Sequence, residues 1–251
     1  MPLRAPSGTC RPRRLTRAAF LLAGGLLLLA GGEDSRGGPP PRPTAPAAVT
    51  ACLTRSGDLV ADVNDDGLPD RISDASHRGA LLTVTFAIGS PRETTVRARG
   101  LADRTAGRQE YVSAAVADFD RDGWSDLVVV AGQEQGGDDP VRPRVAELRL
   151  GPFSDTGRSR RTVPLDLGAT KDIAVADYNH DRYPDLAAYT YSGDGTYEIQ
   201  ARLGGPRTGL SPDTRTYTTD IPGTGYDPPS PLPHAGLSPF YPPCGTQAPA
   251  G

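Results

Sequence analysis

Val60-Ala61-Asp62-Val63-Asn64-Asp65-Asp66-Gly67-Leu68-Pro69-Asp70, Val116-Ala117-Asp118-Phe119-Asp120-Arg121-Asp122-Gly123-Trp124-Ser125-Asp126 and Val175-Ala176-Asp177-Tyr178-Asn179-His180-Asp181-Arg182-Tyr183-Pro184-Asp185 align without gaps. They begin at residues 60, 116 and 175, intervals of 56 and 59. Self-similarity at a nearly fixed period marks a repeat architecture. The shared pattern puts Asp at position 1, Asn or Asp at 3, Asp at 5, Gly or Arg at 6, and Asp at 9. The chain's only two asparagines, Asn64 and Asn179, both stand at position 3. A tightly curled backbone turns the oxygens of positions 1, 3 and 5 inward, and position 6 calls for a positive φ, which Gly67 and Gly123 supply without strain. Position 7 (Leu68, Trp124, Tyr183) offers its carbonyl, which leaves its side chain free to vary, and position 9 completes a cage. Hard oxygen donors in this number suit Ca²⁺ better than the smaller, strictly octahedral Mg²⁺.

The expected ligands are Asp62, Asn64, Asp66, Leu68 and Asp70; Asp118, Asp120, Asp122, Trp124 and Asp126; and Asp177, Asn179, Asp181, Tyr183 and Asp185. Arg182 at position 6 makes the third loop the least favourable, because it brings both a side chain and a positive charge. An EF-hand would need Glu at position 12, where this chain has Ser73, Val129 or Ala188, and it would need flanking helices. The flanks here are short apolar runs: Leu59 to Ala61, Ala114 to Ala117, Ile173 to Ala176 and, beyond the second loop, Leu127 to Ala131. Runs of that length are buried strands. Alternation at Leu82, Val84, Phe86 and Ile88 adds a third strand to the first unit, and Thr94 to Ala98 a fourth. Val145 to Leu150 with Thr162 to Leu165, and Thr196 to Leu203 with Thr214 to Ile221, do the same for the others. The expected fold is all-β: three four-stranded, propeller-blade-like repeats at about 51–104, 105–166 and 167–222, with no long helix after residue 32.

The loop motif, its strand flanks and the period of nearly sixty residues resemble FG-GAP/VCBS repeats, the blades of integrin-α-type β-propellers. The resemblance spans about 51–222 and is specific at the three loops. It implies calcium-binding loops and a propeller-like arrangement. Propellers usually close with four to eight blades. Three visible units therefore leave two readings open, an open arc or a small incomplete propeller whose missing strands lie in the chain ends.

Those ends have their own signatures. Five arginines and no acid fall within residues 1–32, where a basic stretch, Arg11 to Arg17, precedes an apolar run, Ala18 to Ala30. The run is too short to span a bilayer and has the flanks of a cleaved secretion signal, of the Sec or twin-arginine type. Leu29-Ala30-Gly31-Gly32 has Gly where a lipidated Cys would stand, so no lipid anchor is expected. Residues 33–50 read as a Gly/Pro-rich linker and 223–251 as a Pro-rich tail that packs little apart from its cysteine. Removing five positive charges takes the formal charge from −3 to −8. An acidic exported remainder without a basic stripe argues against nucleic acid and against stable insertion in a membrane. Cys10 leaves with the signal. Cys52 and Cys244 then bracket the repeats and suggest one intramolecular disulfide, with free thiols or an interchain bond as the alternatives.

His77, His180 and His234 have no partner at triad or metal spacing, and no nucleophile elbow or phosphate loop occurs. Trp124 and Tyr183 share position 7, either as an exposed aromatic pair or packed over neighbouring strands. The expectation is a secreted, calcium-binding module for binding or adhesion to an extracellular protein or glycan. The alternatives are a lectin-like protein and, less favoured, a hydrolase using a loop carboxylate pair.

Overall fold

The computed structural model describes residues 49–102, 106–108, 110–134, 136–206, 208–212, 215–216 and 236–245. The segments read as signal and linker, residues 223–235 and residues 246–251 lie outside that set, apart from residues 49 and 50. The first sheet contains β1 (Cys52–Leu53), β2 (Leu59–Ala61), β3 (Asp70–Asp74), β4 (Leu82–Phe86) and β5 (Thr94–Arg97) in that spatial order. A single helical turn, α1 (Ala98–Leu101), leads onward. The second sheet is β6 (Tyr111–Ala117), β7 (Asp126–Gly132), β8 (Val145–Leu150) and β9 (Arg161–Pro164). The third is β10 (Ala169–Ala176), β11 (Asp185–Gly193) and β12 (Thr196–Arg202), ending on β15 (Arg215–Thr216). A two-stranded ribbon, β13 (Gly204–Gly205) with β14 (Gly209–Leu210), stands apart. All pairings between strands are antiparallel meanders. The chain is therefore an all-β assembly of separate, open blade-like sheets. No fourth sheet of this kind occurs among the described residues.

Alternation decides the packing. Ala114, Val116, Leu127, Val129 and Ala131 of the second sheet join a core with Leu59, Ile72, Val84 and Phe86 of the first. Their neighbours Ala115, Ala117, Val128 and Val130 face the other way and join Ile173, Val175, Leu186 and Ala188 of the third. The middle sheet is thus covered on both faces, and every residue of β7 is buried. Strands apolar throughout are what two-sided burial requires. The outermost faces differ. The first sheet ends in Thr83, Thr85, Thr95 and Arg97, whereas the third carries a small cluster in which Tyr189 stacks on Tyr197 with ring centroids 5.1 Å apart.

Three devices hold neighbouring sheets together. First, the first two loops each lend a carbonyl onward: Phe153 N–H, just beyond β8, donates to Val63 O (2.9 Å), and Gly205 N–H, in the ribbon that follows β12, to Phe119 O (3.1 Å). Second, a buried arginine at matched places in β8 and β12 ties down the connection entering its sheet. Arg149 donates to Leu101 O (2.7 Å) and Gly157 O (2.6 Å), and Arg202 to Asp166 O and Pro212 O. Third, the turn after β3 reaches both other sheets. Ala114 N–H donates to Gly79 O (3.0 Å), Ile173 N–H donates to Arg78 O (3.1 Å), and Arg78 pairs with Asp172 at 3.2 Å.

The Pro-rich end departs from expectation, because residues 236–245 form a strap that packs on all three sheets. Gly236 N–H donates to Val175 O on the third (2.8 Å), and Asp118 N–H on the second donates to Tyr241 Oη (2.9 Å). On the first, Leu53 N–H donates to Pro242 O and Cys244 N–H to Leu53 O, so the strap runs parallel to β1. Leu237, Phe240 and Tyr241 pack against the two main cores. A disulfide between Cys52 and Cys244 fastens it. Proline explains the misreading: it removes amide donors and periodicity, so a segment anchored by four hydrogen bonds and a few side chains looks like a linker.

Candidate metal centre

Each Asp/Asn loop joins the first two full-length strands of its sheet, and the three share one backbone. Position 6 has positive φ throughout: 78° at Gly67, 97° at Gly123 and 71° at Arg182. Position 4 does so as well, with 63° at Asp65, 55° at Arg121 and 58° at His180, which sequence reasoning missed because the residue type varies. Two left-handed residues separated by one of negative φ curl the chain so that positions 1, 3 and 5 face inward. Amides then hold the side chains. Asp66 and Gly67 N–H donate to Asp62, and Asp122 and Gly123 N–H donate to Asp118, at 2.9–3.2 Å. The position 3 oxygens of Asn64, Asp120 and Asn179 accept from the amide of position 5. The position 5 carboxylates accept from that of position 7.

Position 9 has a second task. Asp70 accepts from Val63 and Ala87 N–H (2.9 and 2.8 Å), Asp126 from Phe119 and Gly151 (2.9 and 2.8 Å), and Asp185 from Tyr178 and Gly204 (2.7 and 2.7 Å). All three carboxylates are buried. Each braces its own loop against the chain just beyond β4, β8 or β12. That close approach explains the glycines: a Cβ at Gly151 would lie 2.4 Å from Ser125 O, and one at Gly204 2.1 Å from Pro184 O. The recurring Arg-Leu-Gly at 149–151 and 202–204 is the sequence signal of both the brace and the buried arginine.

The second loop has a carboxylate at all four ligand side-chain positions, where the other two have asparagine at position 3. One oxygen each from Asp118, Asp120 and Asp126 lie within 4.8 Å of one another. Burial, reinforced by the neighbouring carboxylates, pushes Asp126 up to about 8 against the pull of its two amide donors. The same causes raise Asp118 to about 6 and displace Asp120 upward. Asp70 and Asp185, at the ends of the other loops, also rise to about 6, chiefly through burial. Buried like charges are costly unless a proton or a cation compensates them. The third loop differs: Asp177 Oδ1 is buried without a hydrogen-bond partner, although its counterparts Asp62 and Asp118 each hold two amides.

A hard divalent cation fits these donors. Each carboxylate oxygen has two lone pairs, so the oxygens engaged by amides retain an acceptor site, and the unpartnered oxygen of Asp177 lacks any other compensation. Trp124 and Tyr183 do not stack on each other; the Arg121 guanidinium lies 5.2 Å from the Tyr183 ring centroid instead. His77 and His180 are exposed.

Open antiparallel sheets in series, each bearing an acidic loop at the same place, define a β-repeat protein. The model of the FG-GAP-like repeat matches residues 118–188, from the first carboxylate of the second loop to just beyond the third loop, and this part of the chain is an FG-GAP-type repeat. No curated protein matches the chain.

Proposed function

We propose that the chain is a secreted, calcium-stabilised binding or adhesion module whose loops hold Ca²⁺. The observation that carries this reading is the convergence of Asp118, Asp120 and Asp126 within 4.8 Å on a loop whose backbone is already curled around them. Asp122 and the carbonyl of Trp124 complete the donor set by sequence position. In the first loop the set is Asp62, Asn64, Asp66, Asp70 and the Leu68 carbonyl. In the third it is Asp177, Asn179, Asp181, Asp185 and the Tyr183 carbonyl. The ion's contribution is to neutralise acidic groups that the fold itself forces together, which is a structural task. Support for export comes from the N-terminal sequence and from a disulfide of the kind that persists in oxidising compartments. No helix among the described residues is long and apolar enough to cross a membrane. The FG-GAP-type repeat supports a binding role over an enzymatic one.

Calorimetric titration with Ca²⁺ tests the proposal. Saturable binding of at least two equivalents is expected, with the second loop tightest and affinities of about 10⁻⁴ to 10⁻³ M. Asp120→Ala should remove one equivalent. Absence of heat at millimolar Ca²⁺, or a full complement of sites in that variant, would overturn the reading.

A further inference from the structure

Equivalent loop positions are not equivalent in charge. Position 4 is Asp65, Arg121 and His180, and position 6 is Gly67, Gly123 and Arg182. The second and third loops therefore each contribute one arginine, and the first contributes none. Both arginines sit on left-handed backbone, at φ 55° and 71°. A side chain is disfavoured there, and at position 6 the other two loops avoid the cost with glycine. Arg182 keeps a side chain where both other loops have glycine, which points to a task beyond the fold.

Arg121 and Arg182 line the same cavity. It encloses about 210 Å³, and its remaining lining is Asp118, Pro184 and the strap residues Pro239, Phe240 and Tyr241. Both arginines are exposed, and neither has an ion-pair partner among the described residues. The matching positions between the first and second loops, Asp65 and Gly123, could build nothing similar.

From this we infer that the cavity is a carboxylate site for a single acidic sugar residue, a uronic acid. Two guanidinium groups offer fork-shaped donors that match a carboxylate. Pro184, Pro239 and the half-buried Phe240 and Tyr241 complete a lining of stiff residues, which suits a rigid pyranose ring better than a slender, flexible acidic side chain. The volume lies below that of typical pockets for larger ligands and admits one ring. Asp118 would repel the carboxylate; a cation held by the second loop removes that repulsion. In this respect alone the inference rests on the calcium reading.

The test is titration of the chain with galacturonate, with galactose as the neutral ring and N-acetylglutamate as a carboxylate without a ring, each with Ca²⁺ and with a chelator. Galacturonate should bind at least about tenfold tighter than either control, tighter in Ca²⁺ than in chelator, and more weakly as salt rises. Arg121→Ala and Arg182→Gly should each weaken it by about tenfold. The second substitution suits the backbone, so a lost signal there is not a folding failure. Galactose binding equally well, or both variants binding like wild type, would overturn the site. Preference for N-acetylglutamate would overturn the sugar assignment in favour of an acidic peptide. Galacturonate bound through the arginines by a chain that takes up no Ca²⁺ would support the site while refuting the calcium reading; Ca²⁺ uptake without galacturonate binding would do the reverse.

Discussion

Replacing both Cys52 and Cys244 with serine should release the strap before anything else unfolds. Four hydrogen bonds hold the strap: Leu53 N–H to Pro242 O, Cys244 N–H to Leu53 O, Gly236 N–H to Val175 O and Asp118 N–H to Tyr241 Oη. At about 1 kcal/mol net each, with about 1.5 kcal/mol for each of the part-buried Leu237, Phe240 and Tyr241, they supply roughly 8 kcal/mol. Ordering the residues of 236–245 costs roughly 15 kcal/mol at about 1.5 kcal/mol each. The covalent link offsets most of the shortfall by keeping the strap's end at β1. Its sequence separation of 192 corresponds to about 5 kcal/mol of chain entropy, an upper figure for the variant's loss. At about 2–4 °C per kcal/mol, the melting temperature should fall by up to about 10–20 °C. Hydrogen exchange locates the effect: the amides of Leu53 and Asp118, which donate only to the strap, should exchange much faster, while those within β7 stay protected. A variant melting within about 2 °C of wild type, with both amides still slow, would refute the reasoning.

Other outcomes follow from the loops and the buried arginines. Asp70, Asp118 and Asp185 at about 6 and Asp126 at about 8 all lie above the ordinary 3.8, so the folded metal-free protein holds protons that the unfolded chain has lost. Their contribution to stability is therefore present below about pH 4 and is lost as pH rises towards 8. The rise in melting temperature on adding Ca²⁺ should grow from pH 5 to pH 8, and a rise independent of pH would count against metal at these carboxylates. Arg149→Met leaves the buried carbonyls of Leu101 and Gly157 without a donor and Glu147 without its 2.5 Å partner; denaturant unfolding should show a loss of about 3–5 kcal/mol. Gly151→Ala places a Cβ 2.4 Å from Ser125 O and should cost about 1–3 kcal/mol by the same assay.

What the sequence made legible is what repeats or alternates. Asp and Asn at fixed spacing marked the loops, the apolar run of β7 marked a strand buried on both faces, and Leu82, Val84 and Phe86 marked one with a single core face. The two cysteines stood out because export and position left them as natural partners. Arg149 and Arg202 stayed hidden, because a charged residue in an alternating strand reads as facing solvent; their acceptors are carbonyls in connections that share no pattern. The brace formed by Asp70, Asp126 and Asp185 was hidden too. Spacing places a carboxylate near a cage, but the amides of Ala87, Gly151 and Gly204 arrive from 17–25 residues further along the chain. The strap depends on contacts as distant as the 123 residues between Asp118 and Tyr241, beyond the reach of any local signal.

The strap also imposes a timetable. Its anchors to β1 are among the last described residues to be synthesised, and β1 is among the first. A chain emerging from its N-terminus can assemble its sheets in order, since each packs on the one before it. It must then hold Leu53, the Asp118 amide and the Val175 carbonyl uncovered until the strap arrives. Contacts of such long range form late and leave the waiting intermediate exposed to misassembly. Truncation just before residue 236 should therefore act on folding yield more than on the finished sheets, and an oxidant should matter only at the last step.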